Sequence, residues 1–336
     1  MDNTNRGYLI VTDYICVDGK SDVSDALQKL IDENPNRTLF FPDGTYLLDK
    51  PIMTPADPKY SVDLRLSNFA ILKAGGNWCS QEAMVRLGGS HPCNDMWTPG
   101  SVYSFVGGIV DGSGIAKGIS IDSGRETVIR NVSMKRVQVG VHIKRGANSG
   151  SSDADISDVN ITGNGKPDSI GVLVEGWDNT FTNMRIANVH TGVDIRSAGN
   201  MLRNIHPLYT SDYTDYRNAC AFKDTEGSNW YDYCYSDQFG VGFQTSGRDA
   251  GIYQNCFCMW YSPRDGRHTA FRADGPFNSV LTNFKIGFRD DVEENIVLQK
   301  AQEGGSGVFH RLLANPDKFS DHTHEAHLQD GIIRFA

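Results

Sequence analysis

The sequence predicts an all-β chain, a single-stranded right-handed parallel β-helix (a solenoid) with a short N-terminal capping helix. Three observations carry that expectation: a repeated strand, an apolar column beside it, and a polar column at a turn. Glycine- or alanine-led strands begin at Gly118, Gly140, Gly171, Gly192, Ala221, Gly242 and Ala270, and their starts lie 22, 31, 21, 29, 21 and 28 residues apart. The shorter step is one rung of a solenoid, and the longer steps are insertions on a fixed scaffold. Alternation of period two within each piece marks strand and not helix.

A second strand follows each first one. It aligns Val132, Val159, Met184, Ile205, Cys234, Cys256 and Phe284 as an inward column. Cys234 and Cys256 then read as small buried hydrophobes. The column beside it, Asn131, Asp158, Asn183, Asn204, Asn255 and Asn283, reads as a structural ladder at a tight turn, where Asn tolerates unusual backbone angles. An open solenoid end needs a cap. Val23, Ala26, Leu27, Leu30 and Ile31 recur at helical spacing and supply one. Ser21 or Ser24 is the expected N-cap, and Asn34-Pro35 the expected stop.

At 336 residues the chain has the length of two average domains, yet a repeat array can run on as one body. The expected division is a strand and capping helix over 1–50, rungs over 51–300, and a tail or cap over 301–336. Glycine at 35 residues and aromatics at 10% suit a turn-rich β protein. A net charge of −9 argues against nucleic acid as a partner. Neither a basic and apolar export signal nor a membrane-length apolar run is visible, so a cytoplasmic location off the membrane is expected. The seven cysteines show no repeated zinc-type spacing, and no metal site is expected from them.

The stretch from Asp13 to Leu48 contains the turn Val17–Asp22, the run Asp25-Ala26-Leu27-Gln28, the strand Leu39–Phe41, and Pro42, Gly44 and Tyr46 in a Pro-x-Gly-x-Tyr turn. It resembles the N-terminal signature of the pectate-lyase-like β-helix superfamily, in its pectate-lyase-3 or glycoside-hydrolase-28-related branch. The resemblance implies a β-helix that binds and cuts carbohydrate chains. The superfamily also holds lyases, epimerases, fructan-transforming enzymes and phage tailspikes, so fold does not fix chemistry. Its catalytic patterns do not transfer. Asp194 follows Gly192 where one aspartate falls, Val141–Lys144 is a loose echo, and the paired acids Asp290 and Asp291 lie out of order. No catalytic residue is carried over.

Functional residues should gather where rung spacing is stretched. Loops after Ile205, Cys234 and Cys256 follow the same strand in adjacent rungs, so they should stack about 4.8 Å apart and face one groove. They hold Tyr209, Asp212 and Asp215; then Asp237; then Trp260, Arg264, Asp265, Arg267 and His268. Aromatic faces pack on sugar rings, Arg and His bind hydroxyls or carboxylates, and two carboxyl groups divide acid and base work at a glycosidic bond. Asp215, Asp237 and Asp265 are the leading catalytic acids, and the others are substrate-binding candidates. The outward column Ser120, His142, Leu173, Asp194, Lys223, Gln244 and Arg272 is a second groove floor, with Asp194 and Lys223 as binding candidates and His190 at the edge. Beside it, Asp122, Lys144, Glu175 and Arg196 read as a ladder of cross-rung ion pairs.

The expected function is cleavage or rearrangement of glycosidic bonds in an oligo- or polysaccharide, of the glycoside hydrolase or glycosyl/fructosyl transferase type, without a cofactor. One alternative is β-elimination on a uronate, with Ca²⁺ held by acids and Lys223, Arg264 or Arg267 serving beside it. The other is a non-catalytic, glycan-reading tailspike-like homotrimer on a phage particle. His322, His324, Glu325 and His327 form a tail patch that could bind a metal or simply face solvent.

Overall fold

The computed structural model describes residues 7–90, 104–146, 151–210, 218–246, 248, 250–261, 268–288, 296–300, 307–314 and 327–334. These form two compact units: residues up to Asn164 together with Gly171–Thr180, and Gly165–Ile170 together with residues from Phe181 onward. Each is a stretch of right-handed parallel β-helix. The paired acids at 290–291, the acids and arginines at 212, 215, 264, 265 and 267, and the tail residues 322–325 lie outside the described residues.

In the first unit Tyr8–Ile10 pairs in parallel with Arg37–Phe41, which pairs with Val62–Leu66. Gly44–Leu48 pairs with Ala70–Ala74, and that strand with Ile109–Asp111. A second sheet stacks Ile52–Pro55, Ala83–Ser90, Lys117–Ile121 and Val139–Ile143. Coiling thus begins at residue 8 and not at 51, because the apolar positions Leu39, Phe41, Tyr46 and Leu48 already face the core, all at 0% exposure.

The capping helix is Ser24–Asp32, with Leu27, Leu30 and Ile31 buried. Neither Ser21 nor Ser24 caps it. Asp22 accepts from the Ser24 backbone N–H at 3.0 Å and from the Asp49 N–H at 3.0 Å. The Ser24 hydroxyl instead accepts from the backbone N–H groups of Asp49 and Lys50, tying the helix to the strand that follows. Asn34 ends the helix through its side chain, which donates to the Leu30 carbonyl at 2.8 Å. The signature turns have plain physical roles. Asp18 accepts from Lys20 N, Ser21 N and Ser21 Oγ, and these bonds hold its carboxyl down at about 2. Tyr46 folds back so that its hydroxyl donates to the Pro42 carbonyl at 2.9 Å.

In the second unit one sheet stacks Thr191–Ile195, Cys220–Asp224, Val241–Thr245, Thr269–Ala273 and Ile296–Lys300. The other takes in Thr180–Ala187, Met201–Leu208, Trp230–Asp232, Ile252–Gln254 and Val280–Phe288 in succession. Parallel pairing then proceeds to Val308–Ala314 and His327–Arg334, so strands extend past the expected boundary at 300.

The inward column is as the sequence reads it: Val132, Val159, Met184, Ile205, Cys234, Cys256 and Phe284 are each at most 1% exposed. A large apolar side chain buried this fully contributes ~1.5–3 kcal/mol. Aromatics add stacks along the axis, Phe222 on Phe243 at 4.6 Å and Tyr231 on Tyr253 at 4.5 Å. The strand-leading glycine is required by the neighbouring rung. A Cβ on Gly192 would meet the Ala221 carbonyl oxygen at 2.4 Å and Pro207 at 2.8 Å. The polar column adopts left-handed backbone, with φ of 51–58° at Asn131, Asp158, Asn183, Asn204, Asn255 and Asn283. Its side chains link rungs, as where Asn204 Nδ2 donates to Asn183 Oδ1 at 2.8 Å. Among the described residues no helix is long and apolar enough to cross a membrane.

Candidate functional site

In the second unit the strand Tyr235–Asp237 pairs with Phe257–Trp260 on one side, and Asp237 lies opposite Leu208 on the other. Alternation turns Tyr235 and Asp237 outward and Ser236 inward. His206, Tyr235 and Phe257 therefore stack along the outer face, with ring centroids 4.2 and 4.8 Å apart. Lys285 extends the row, its ammonium 4.6 Å from the Phe257 ring centre.

Asp237 sits beside this stack and is 7% exposed although it points outward. Its Oδ2 lies 3.5 Å from His206 Nε2. Its Oδ1 is buried and has no hydrogen-bond partner among the described residues. An orphaned carboxylate oxygen is costly in a buried setting, and such an atom marks a place for water or ligand. Burial, and then the adjacent Asp237 charge, pushes the Tyr235 phenol well above its ordinary value. The site thus sets a carboxylate, an imidazole and a protonated phenol side by side. Next along the chain, Gln238 has left-handed backbone with φ 64°, and its side-chain oxygen accepts from the Tyr261 N–H at 2.8 Å.

The three stacked loops do leave adjacent rungs: Tyr209 N donates to the Asp237 carbonyl at 2.9 Å, and Gln238 N to the Met259 carbonyl at 2.9 Å. Three expected sugar-facing rings need correction, however. Tyr209, Trp260 and His268 are 2%, 0% and 2% exposed. Tyr209 and Trp260 follow Leu208 and Met259, which are in register with the outward Asp237, so alternation sends them inward. Tyr209 packs edge-on against Phe239 at 5.3 Å, Trp260 against His268 at 5.4 Å, and the indole N–H donates to the Phe239 carbonyl at 2.7 Å. They form a buried wall around Phe239, two residues on from Asp237. Asp212, Asp215, Arg264, Asp265 and Arg267 fall outside the described residues.

The second floor of this unit keeps its expected register, Asp194 opposite Lys223, Lys223 opposite Gln244, and Gln244 opposite Arg272. Arg196 Nη2 donates to Asp194 Oδ2 at 2.7 Å, while Asp194 Oδ1 is buried without a hydrogen-bond partner among the described residues. Arg272 and Gln244 both reach Asp274. His190 is half-buried at the head of its rung, where its N–H donates to the Ser169 carbonyl at 3.1 Å.

In the first unit the equivalent face is a closed ionic network. Asp122 accepts from Arg86 at 2.8 Å and Lys144 at 3.1 Å, Lys144 also bonds Glu82, and His142 pairs with Glu175 at 2.9 Å. Cross-rung pairing, as the sequence suggests, accounts for these residues. Sequence reasoning passes over His206 and Tyr235 as individual site residues. The signal was their position two residues before Leu208 and Asp237, which on a strand means the same face. Among the described residues no group of three or more His, Cys, Asp or Glu is placed to hold a metal.

Fold and site together define a right-handed parallel β-helix carrying an outward, partly enclosed carboxylate–imidazole–phenol cluster. No protein-family model matches the sequence, and no curated protein matches it. Solved structures do. One is the tailspike protein of E. coli bacteriophage HK620 in complex with pentasaccharide, at a TM-score of 0.70 and 10% identity over 98% of this chain and 65% of that one. A second is the tailspike protein gp49 of Acinetobacter baumannii bacteriophage Fri1, a capsular polysaccharide depolymerase, at 0.62 and 12% identity over 94% of this chain and 60% of that one. A third is an alginate lyase from Paenibacillus sp. str. FPU-7, at 0.60 and 15% identity over 84% and 98%. The shared feature is the fold. The chain spans 60–65% of the length of the two tailspike chains.

Proposed function

We propose that this chain binds a polysaccharide along its outward loops and cleaves glycosidic bonds there, with Asp237 as one of two acid/base carboxylates. The observation that carries the reading is the buried Asp237 with one oxygen unpartnered among the described residues, set beside His206 on an outward face. A carboxyl group screened from bulk water exchanges a proton with a glycosidic or water oxygen placed against it. His206 Nε2 stands 3.5 Å from its other oxygen, and the half-buried His206–Tyr235–Phe257 edge lies alongside the sugar. Cleavage needs a second carboxyl roughly 5–9.5 Å away, the separation deciding retention or inversion. Asp215 and Asp265, on the loops of the adjacent rungs, are proposed for that role. Asp212, Arg264 and Arg267 are proposed to bind substrate there. Asp194, through the oxygen that has no partner among the described residues, and Lys223 are proposed to bind hydroxyls on the second floor, with His190 at its edge.

The likeness to two phage tailspikes, one in complex with a pentasaccharide and one a capsular polysaccharide depolymerase, supports a polysaccharide as partner and a phage particle, in place of the cytoplasm, as setting. A homotrimer belongs to the same reading. It is supported by an apolar stripe in register, Met201, Trp230 and Ile252, exposed by 48%, 44% and 37%. The N-terminal signature supports the pectate-lyase-3 or glycoside-hydrolase-28-related branch. No cofactor is required by this chemistry. The alginate lyase likeness favours β-elimination as a second reading. In that case Ca²⁺ would have to be held by acids on the outer loops.

The test is incubation with neutral and uronate-containing polysaccharides, reading both new reducing ends and the absorbance of unsaturated uronate. Reducing ends without absorbance, lost by about 10²-fold or more in Asp237→Asn, are the expected result. Absorbance would assign elimination instead, and full activity in Asp237→Asn would remove Asp237 from the chemistry.

A further inference from the structure

Between Asn131 and Asn283 one corner of the left-handed column is neither Asn nor Asp. Between Asn204 and Asn255 in the stack stands Tyr233, with φ 53° and 58% exposure. Left-handed backbone costs a side chain other than Gly, Asn or Asp roughly 1–2 kcal/mol, and a bulky residue there is an outlier. Burial does not offset that cost, since the ring is exposed. The corner's backbone does not need a tyrosine either. Tyr233 N donates to the Gln254 carbonyl at 3.1 Å, just as Asn255 N donates to the Thr282 carbonyl at 2.9 Å. Strain held without a packing return points to a use outside the fold.

Tyr233 lines a surface pocket together with Thr182, Asn183, Arg203 and Asn204. Arg203 is placed there with little structural demand on it. Its Nε is 3.7 Å from Asp232 Oδ2, and at 63% side-chain exposure such a pair adds almost nothing to stability. The pocket therefore joins an exposed aromatic ring, a guanidinium, two primary amides and a hydroxyl. Rings of this kind take the apolar face of a sugar while keeping a polar tip in water, and guanidinium and amide groups bind hydroxyls and carboxylates in the plane around it.

We propose that this pocket is a second, non-catalytic carbohydrate subsite that seats one pyranose unit of a polysaccharide on Tyr233. The choice of ligand rests on the carbohydrate reading above, but the subsite does not require that the chain cleave anything. Tyr233 and Asp237 are four positions apart in the sequence, at most about 14 Å of chain. A polymer seated at one would lie within reach of the other.

The experiment measures dissociation constants by calorimetry for alginate, polygalacturonate, a neutral glucan and a bacterial capsular polysaccharide. It uses Asp237→Asn protein, to prevent turnover, with and without Tyr233→Asn or Tyr233→Phe, and records melting temperatures alongside. Tyr233→Asn should raise the melting temperature, because asparagine suits the corner, yet weaken binding about tenfold, the effect of losing one aromatic anchor. Tyr233→Phe should bind within about threefold of its parent, since the ring remains. Equal affinity in Tyr233→Asn, a fall in its melting temperature, or no binding of any polysaccharide to the parent would overturn the subsite. Binding that depends on Tyr233, in a chain whose native form cleaves nothing, would leave the subsite standing and remove only the cleavage reading.

Discussion

Replacing Trp260 by phenylalanine separates a structural wall from a sugar platform. The indole is fully buried, its N–H donates to the Phe239 carbonyl at 2.7 Å, and its ring lies edge-on to His268 at 5.4 Å. Phenylalanine removes roughly three buried heavy atoms, which at ~0.8 kcal/mol per buried carbon costs about 2 kcal/mol. The lost hydrogen bond adds ~1 kcal/mol. The expected destabilisation is therefore about 3 kcal/mol, with a melting temperature lower by roughly 6–12 °C for a cooperative unit of 150–250 residues. Urea denaturation followed by near-ultraviolet circular dichroism reads the midpoint, and calorimetric titration with a bound polysaccharide reads affinity. A large stability loss with unchanged affinity is expected. The opposite pattern, stability intact and affinity lost, would refute the burial argument and return Trp260 to the ligand face.

Two further outcomes follow from the described chemistry. Burial lowers the His142 pKa from its ordinary 6.5, aided by Lys144 and Lys117, while Glu175 acts to raise it. The unfolded chain then takes up the proton first, so this residue's contribution to stability falls as pH drops through its ordinary 6.5. His142→Gln should flatten that part of the urea midpoint curve, and an unchanged slope would show that His142 titrates normally in the fold. Cys16 and Cys79 are exposed, whereas Cys220, Cys234, Cys256 and Cys258 are buried, with burial pushing the Cys220 thiol up to about 12. Iodoacetamide at mildly alkaline pH should mark the first two and spare the other four until denaturant is added, as read by peptide mass spectrometry. Early labelling at Cys234 or Cys256 would show that the core opens.

The division between what sequence and tertiary structure decide is physical. Periodicity is local: alternation names the faces of a strand, and a repeat near 21 residues sets one rung on the next. From these the inward column through Cys234 and Cys256, the asparagine corners, and the register of Asp194 with Lys223 are all legible. Turn chemistry is local too, which is why the Pro42–Tyr46 turn shows itself. Capping did not follow the same way. The N-cap position falls on Val23, which offers no capping side chain, and Ser24 is drawn to the backbone of Asp49 and Lys50, 25 and 26 residues on. The site divides along the same line. The sequence places Tyr209, Asp237 and Trp260 on stacked loops, but residue type alone does not say whether an aromatic ring meets sugar or core. Tertiary packing buried Tyr209, Trp260 and His268, brought His206 to Asp237, and left one oxygen of Asp237 without a partner among the described residues. Those facts depend on which side chains fill the space around a position, and that is fixed only when distant rungs come together.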